Sequence, residues 1–160
     1  MTLHFRPLLN GYGWGSDEPN ARSRALALAN GDLVAANALN PGEQPSLATQ
    51  AGFRIPVALT KAAWADCVAW GEGEKAPQDE VGRLWDVLWM ASRGLLEASK
   101  RGQATPTVKF TLYRVPRGGR EPLEVALFVA MEGDDRDDPA CTIYTEAEVE
   151  EVDYDLGEDD

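Results

Sequence analysis

The sequence predicts an α+β domain: an antiparallel sheet of three to four strands with helices packed on one face, followed by an acidic C-terminal extension. Three observations carry this. "TVKFTLYRV" alternates, with Val108, Phe110 and Leu112 on one side and Lys109, Thr111 and Tyr113 on the other. After the turn cluster "PRGGREP", "LEVALFVAM" alternates again, placing Leu123, Val125, Leu127, Val129 and Met131 on one face, so the two runs form a β-hairpin. Residues 80–101 repeat apolar side chains at helical spacing. The charge is lopsided: residues 132–160 hold fourteen acids and one base, a sum of −13, against −12 for the whole chain. The rest is close to neutral.

In chain order, residues 1–20 read as a flexible arm in which glycines alternate with aromatic residues. Its G-x-G-x-G run has no following lysine and no preceding strand, which excludes a phosphate loop. "NARSRALALANGD" predicts a short helix capped by Asn20 and stopped by Gly31. "PGEQP" breaks the chain, and Ser46 caps a turn ending near Gly52. "RIPVALT" is a brief strand running into a helix capped by Thr60, with Trp64, Cys67, Val68 and Gly71 on one face. Asp79 caps the longest helix, which Gly102 ends. "ACTIYT", after the acidic loop "EGDDRDDP", extends the hairpin by a third strand. The domain spans residues 21–145 and the acidic tail residues 146–160.

With Val81 as the centre of the long helix, Leu84, Trp85, Leu88, Trp89, Ser92, Leu95 and Leu96 fall within about 80° of it. The two tryptophans are then core anchors. Arg83, Asp86, Met90, Arg93 and Glu97 lie on the opposite, polar back, where Arg83 can pair with Asp79 or Asp86. Met90, between charged neighbours, has the character of an adaptable contact.

"AGFRIPVALTKAAWADCV", "DEVGRLWDVLWMA", "VKFTLYRV" and "PACTIYT" resemble a small family described only as a domain of unknown function. "RALALANGDLVA" is similar to its N-terminal helix-and-strand element. The likeness covers about residues 21–145, with "GRLWDVLWM" its most specific string. The family is carried on plasmids and integrative elements of Gram-negative bacteria. The resemblance therefore implies a mobile-element context and no mechanism, and mobile elements commonly carry proteins that blunt host defences.

Catalytic motifs are not legible. His4, the single histidine, lies in the N-terminal arm, and Cys67 sits on an apolar helix face, where a thiol is buried and inert. The two cysteines read as reduced thiols of a cytoplasmic protein. "DDRDDP" lacks the glycine and distant glutamate of a calcium loop, so neither metal nor cofactor is expected. No run approaches the length of a membrane span. The near-neutral body and acidic end disfavour nucleic acid itself as ligand.

The expectation is a non-catalytic protein whose acidic end binds a host protein with a positively charged nucleic-acid-binding groove. Its most concrete form is an anti-CRISPR or anti-restriction inhibitor acting as a partial nucleic-acid mimic. Extended, the acids of "TEAEVEEVDYDLG" would stand about 6.6 Å apart on one side, close to two nucleotide steps. The candidate residues are Glu146, Glu148, Glu150, Glu151, Asp153, Tyr154 and Asp155, with Arg83, Asp86 and Met90 as a second patch. Arg114, Arg117 and Arg120, at the hairpin turn, could hold the protein's own acidic tail. The alternative is an accessory interaction module of the mobile element that uses the sheet edge or the back of the long helix, with the acidic tail only solubilising.

Overall fold

A computed structural model describes residues 20–74, 76–103, 105–133 and 138–149. The elements run α1 (Asn20–Asn30), β1 (Leu33–Ala35), α2 (Leu47–Ala51), β2 (Val57–Thr60), α3 (Lys61–Cys67), α4 (Glu80–Lys100), β3 (Thr107–Arg114), β4 (Leu123–Gly133) and β5 (Pro139–Thr145). Ser46, Thr60 and Asp79 cap α2, α3 and α4 as the sequence predicts, while Asn20 is the first residue of α1. Ser46 and Thr60 accept from the backbone N–H of Thr49 and Ala63, and Asp79 Oδ1 accepts from Gly82 N–H at 2.7 Å. Gly52 ends α2 in the left-handed region, at φ 118°.

The sheet has five strands, not three to four, in the order β1-β2-β5-β4-β3. It is mixed: β5 inserts between β4 and β2, pairing antiparallel with β4 and parallel with β2. The parallel pair arises because α3, α4 and the β3–β4 hairpin all intervene between β2 and β5, a crossover of the kind parallel strands require. The fifth strand, β1, is three residues long, too short to show alternation, and is fixed by antiparallel pairing with β2.

Helices cover both faces, not one. On the first face α2, α3 and α4 bury a core that includes Leu59, Cys141, Ile143, Leu127, Val129 and Phe110. On the second, Ala27 of α1 packs with Leu33 and Ala58, and a helical turn at residues 146–149 sets Val149 against Ala130 and Tyr144. The folded body therefore continues past residue 145 to Val149.

The buried face of α4 is centred about 90° from the predicted stripe. It comprises Arg83, Leu84, Val87, Leu88, Ala91 and Ala98. Small side chains decide this orientation. Ala91, Gly94 and Ala98 let the helix lie close to β3, and a Cβ on Gly94 would stand 3.0 Å from Phe110 Cβ. Trp85 and Trp89 are not enclosed anchors. They stack on each other, centroids 5.7 Å apart, half-buried on the flank of α4 that faces α2.

Candidate functional site

The strand order makes β3 the last strand, and eight residues long. Which backbone groups face outward follows from its register. Pro106 and Met131 are opposite each other, and Met131 N–H donates to Pro106 C=O at 2.7 Å. In an antiparallel ladder hydrogen-bonded pairs alternate with non-bonded ones. Residues 108, 110, 112 and 114 therefore bond to β4, and residues 107, 109, 111 and 113 direct their N–H and C=O away from the sheet. Among the described residues, Thr111 and Tyr113 have no backbone partner on that side.

Beside this edge runs a groove of about 460 Å³ between β3 and α4. Its helical wall is Met90, Arg93, Glu97 and Arg101, and its floor is Gly94 with Val108 and Phe110. The rotation of α4 brings these residues here: what the sequence reads as the solvent-facing back is the flank over the β3 edge. Arg93 is held by its guanidinium over the Trp89 ring, 4.2 Å from the centroid. On the other side of β3, Thr111 is exposed and Tyr113 is 68% exposed.

The predicted partner residues fall into different environments. Arg83 is a correction. It is 4% exposed and turned inward, with Nε donating to Val68 C=O at 3.1 Å, Nη1 to Val115 C=O at 2.7 Å and Nη2 to Asp66 C=O at 3.4 Å. Its guanidinium lies 4.5 Å from the Trp70 ring centroid. It fastens α4 to α3 and to the end of β3, and does not stand on a solvent-facing back of the helix. Asp86 is exposed, at the mouth of a cleft of about 210 Å³ that Cys67, Gln78 and Arg114 also line. Met90 is half-buried against the core, at the groove wall. Arg83 and Asp86 thus line one cleft, and Met90 lies apart from them at the groove wall.

The described acids of the tail do not form an extended row. Residues 146–149 are helical, and Glu148 Oε1 accepts from Thr145 N–H at 2.9 Å while Thr145 Oγ1 accepts from Glu148 N–H at 3.2 Å, a reciprocal cap. The same carboxylate oxygen accepts from Thr60 Oγ1 at 2.8 Å. Glu146 pairs with Lys109 Nζ at 2.8 Å. Glu150, Glu151, Asp153, Tyr154 and Asp155 lie outside the described residues, as do His4 and residues 134–137 of the acidic loop. Arg114 holds Asp66, its Nη2 donating to the two carboxylate oxygens at 3.0 and 3.2 Å.

Sequence reasoning missed a buried polar group under α1. Arg24 donates to Thr142 Oγ1 and to Cys141 C=O, the latter at 2.8 Å, and approaches Glu132 at 3.6 Å. Glu132 also accepts from Thr142 and, at 2.7 Å, from Tyr144. Burial pushes its pKa up, against the hydrogen bonds of Thr142 and Tyr144 and the charge of Arg24. The alternation of β4 and β5 placed these side chains on one face but could not show that α1 covers it. Both cysteines are buried, unpaired thiols, each pushed up to about 12 chiefly by burial.

Among the described residues, no group of three or more His, Cys, Asp or Glu is placed to hold a metal ion, and no helix is long and apolar enough to cross a membrane. Comparison of the chain with protein-family models, curated proteins and solved structures finds no match in any of the three.

Proposed function

We propose that this chain is a non-catalytic interaction module that takes up an extended segment of a partner protein by strand addition along β3. One observation carries the reading: an eight-residue terminal strand whose outward backbone groups border a groove walled by α4. An added strand would continue the ladder through Thr111 and Tyr113 and rest alternate side chains in the groove. This is the accessory interaction module that uses the sheet edge. The thiols support a non-catalytic role, since groups held near 12 are not thiolates at neutral pH.

The anti-defence alternative, in which the acidic end imitates nucleic acid, keeps the support of the −13 charge on residues 132–160. It loses Glu148 to its caps, and it shares Glu146 with Lys109.

Thr111→Pro separates the two. Proline removes the outward N–H of Thr111 and leaves the β3–β4 ladder intact, the one arrangement in which a strand tolerates it. The measurement is binding of a partner captured from host lysate and then purified. Strand addition requires that Thr111→Pro abolish binding, that Thr111→Val retain it, and that removal of residues 150–160 leave it in place. Loss on truncation together with full binding by Thr111→Pro would give the function to the acidic end. The truncation must start after Val149, because that side chain is buried in the second-face cluster.

A further inference from the structure

The helical wall of the groove has an ordered charge pattern. Arg93, Glu97 and Arg101 follow one another at intervals of four along α4, and all three are exposed and line the groove. No ion pair within 4.0 Å joins them among the described residues, and the Arg93 guanidinium rests over Trp89. From Arg93 to Arg101 the helix rises about 12 Å. A strand beside β3 presents side chains to the groove at every second residue, and positions i and i+4 are about 13 Å apart. The two spacings agree.

We infer that the groove selects an extended partner segment with Asp or Glu at positions i and i+4 and Lys or Arg at i+2, all directed toward α4. The outer acids meet Arg93 and Arg101, and the central base meets Glu97. An acid at i+2 would face Glu97 and be repelled, so a uniformly acidic strand is a poorer fit than an alternating one. Met90, at the end of the same wall, gives an apolar side chain beyond the charged positions a surface that can adapt to its shape. The selectivity rests on strand addition at β3 and specifies what is added.

The test uses two short synthetic peptides on a common threonine–valine background, one with Glu-x-Lys-x-Glu on the groove side and one with Lys-x-Glu-x-Lys. Each is titrated calorimetrically into the intact chain and into the triple variant Arg93→Glu, Glu97→Lys, Arg101→Glu. All three sites are solvent-exposed, and circular dichroism confirms that the variant folds. The wild-type protein should bind the Glu-Lys-Glu peptide about tenfold more tightly at low salt, the variant should invert the preference, and high salt should erase it in both. Equal affinities for the two peptides would overturn the selectivity and leave strand addition standing, provided that Thr111→Pro abolishes both. Binding of neither peptide would overturn the selectivity and strand addition together. Sedimentation of the protein alone showing a dimer that Thr111→Pro dissolves would assign the edge to a second copy and overturn the peptide ligand.

Discussion

The two edges of the sheet are built differently. At one, β1 contributes three residues, with α1 and α3 packed alongside. At the other, β3 contributes eight residues, with α4 packed on one face of it and a groove between the two. A long exposed strand edge invites pairing with another chain, and proteins usually shorten or cover such edges. Among the described residues, β1 is shortened in this way and β3 is not. On the proposed reading, β3 is the working edge and the α1 side its support.

The largest effect on this contrast should come from Arg83. Its guanidinium satisfies three backbone carbonyls, including that of Val115 just past β3, so it anchors α4 beside the β3 edge. Arg83→Met leaves buried acceptors unpaired, and urea denaturation should show a loss of about 3 kcal/mol or more. Gly94→Val comes next. Its new side chain would press on Phe110 and lift α4 from β3, with an expected loss of about 1–3 kcal/mol in the same assay. Groove binding should fall along with stability, since the floor of the groove is displaced.

Two substitutions act on the supporting side and should leave the β3 edge unchanged. Burial holds the Glu132 carboxyl above its ordinary value near 4.5. The neutral carboxyl is therefore favoured more in the folded chain than in the unfolded one, and its stabilising contribution is complete below the unfolded value. That contribution is lost as pH rises through the folded value. Each unit of displacement corresponds to about 1.4 kcal/mol. Denaturation midpoints across this range should slope downward with rising pH in the wild type and be flatter in Glu132→Gln. Glu148→Ala removes the reciprocal cap and the bond from Thr60, and should cost about 1 kcal/mol by thermal or urea unfolding without altering peptide affinity.

How much of this was legible depends on how local each feature is. The caps at Ser46, Thr60 and Asp79 and the β3–β4 hairpin are set by residues within a few positions of one another, and alternation and capping chemistry revealed them. Strand order is not local. Only the insertion of β5 between β2 and β4 makes β3 terminal, and no residue of β3 signals it. The phase of α4 was misread because the two tryptophans outweighed Ala91, Gly94 and Ala98 as marks of the buried face. Close approach to a sheet favours small side chains, whereas bulky rings suit the wider space toward α2. Arg83 followed from that error: on the correct face it meets three carbonyls from two segments distant in sequence, the end of α3 and the residue after β3. Met90, Arg93 and Glu97 were grouped together by the sequence, and they remain together at the groove.

Residue-resolved hydrogen exchange along β3 tests the central claim most directly. In the protein alone the amides of Phe110 and Leu112, which bond to β4, should exchange slowly, while those of Thr111 and Tyr113 exchange quickly. Saturation with the Glu-Lys-Glu peptide should slow Thr111 and Tyr113 and leave the other two nearly unchanged. Slow exchange at Thr111 and Tyr113 before any ligand is added, or no change on saturation, would show that this edge is not where a partner strand joins.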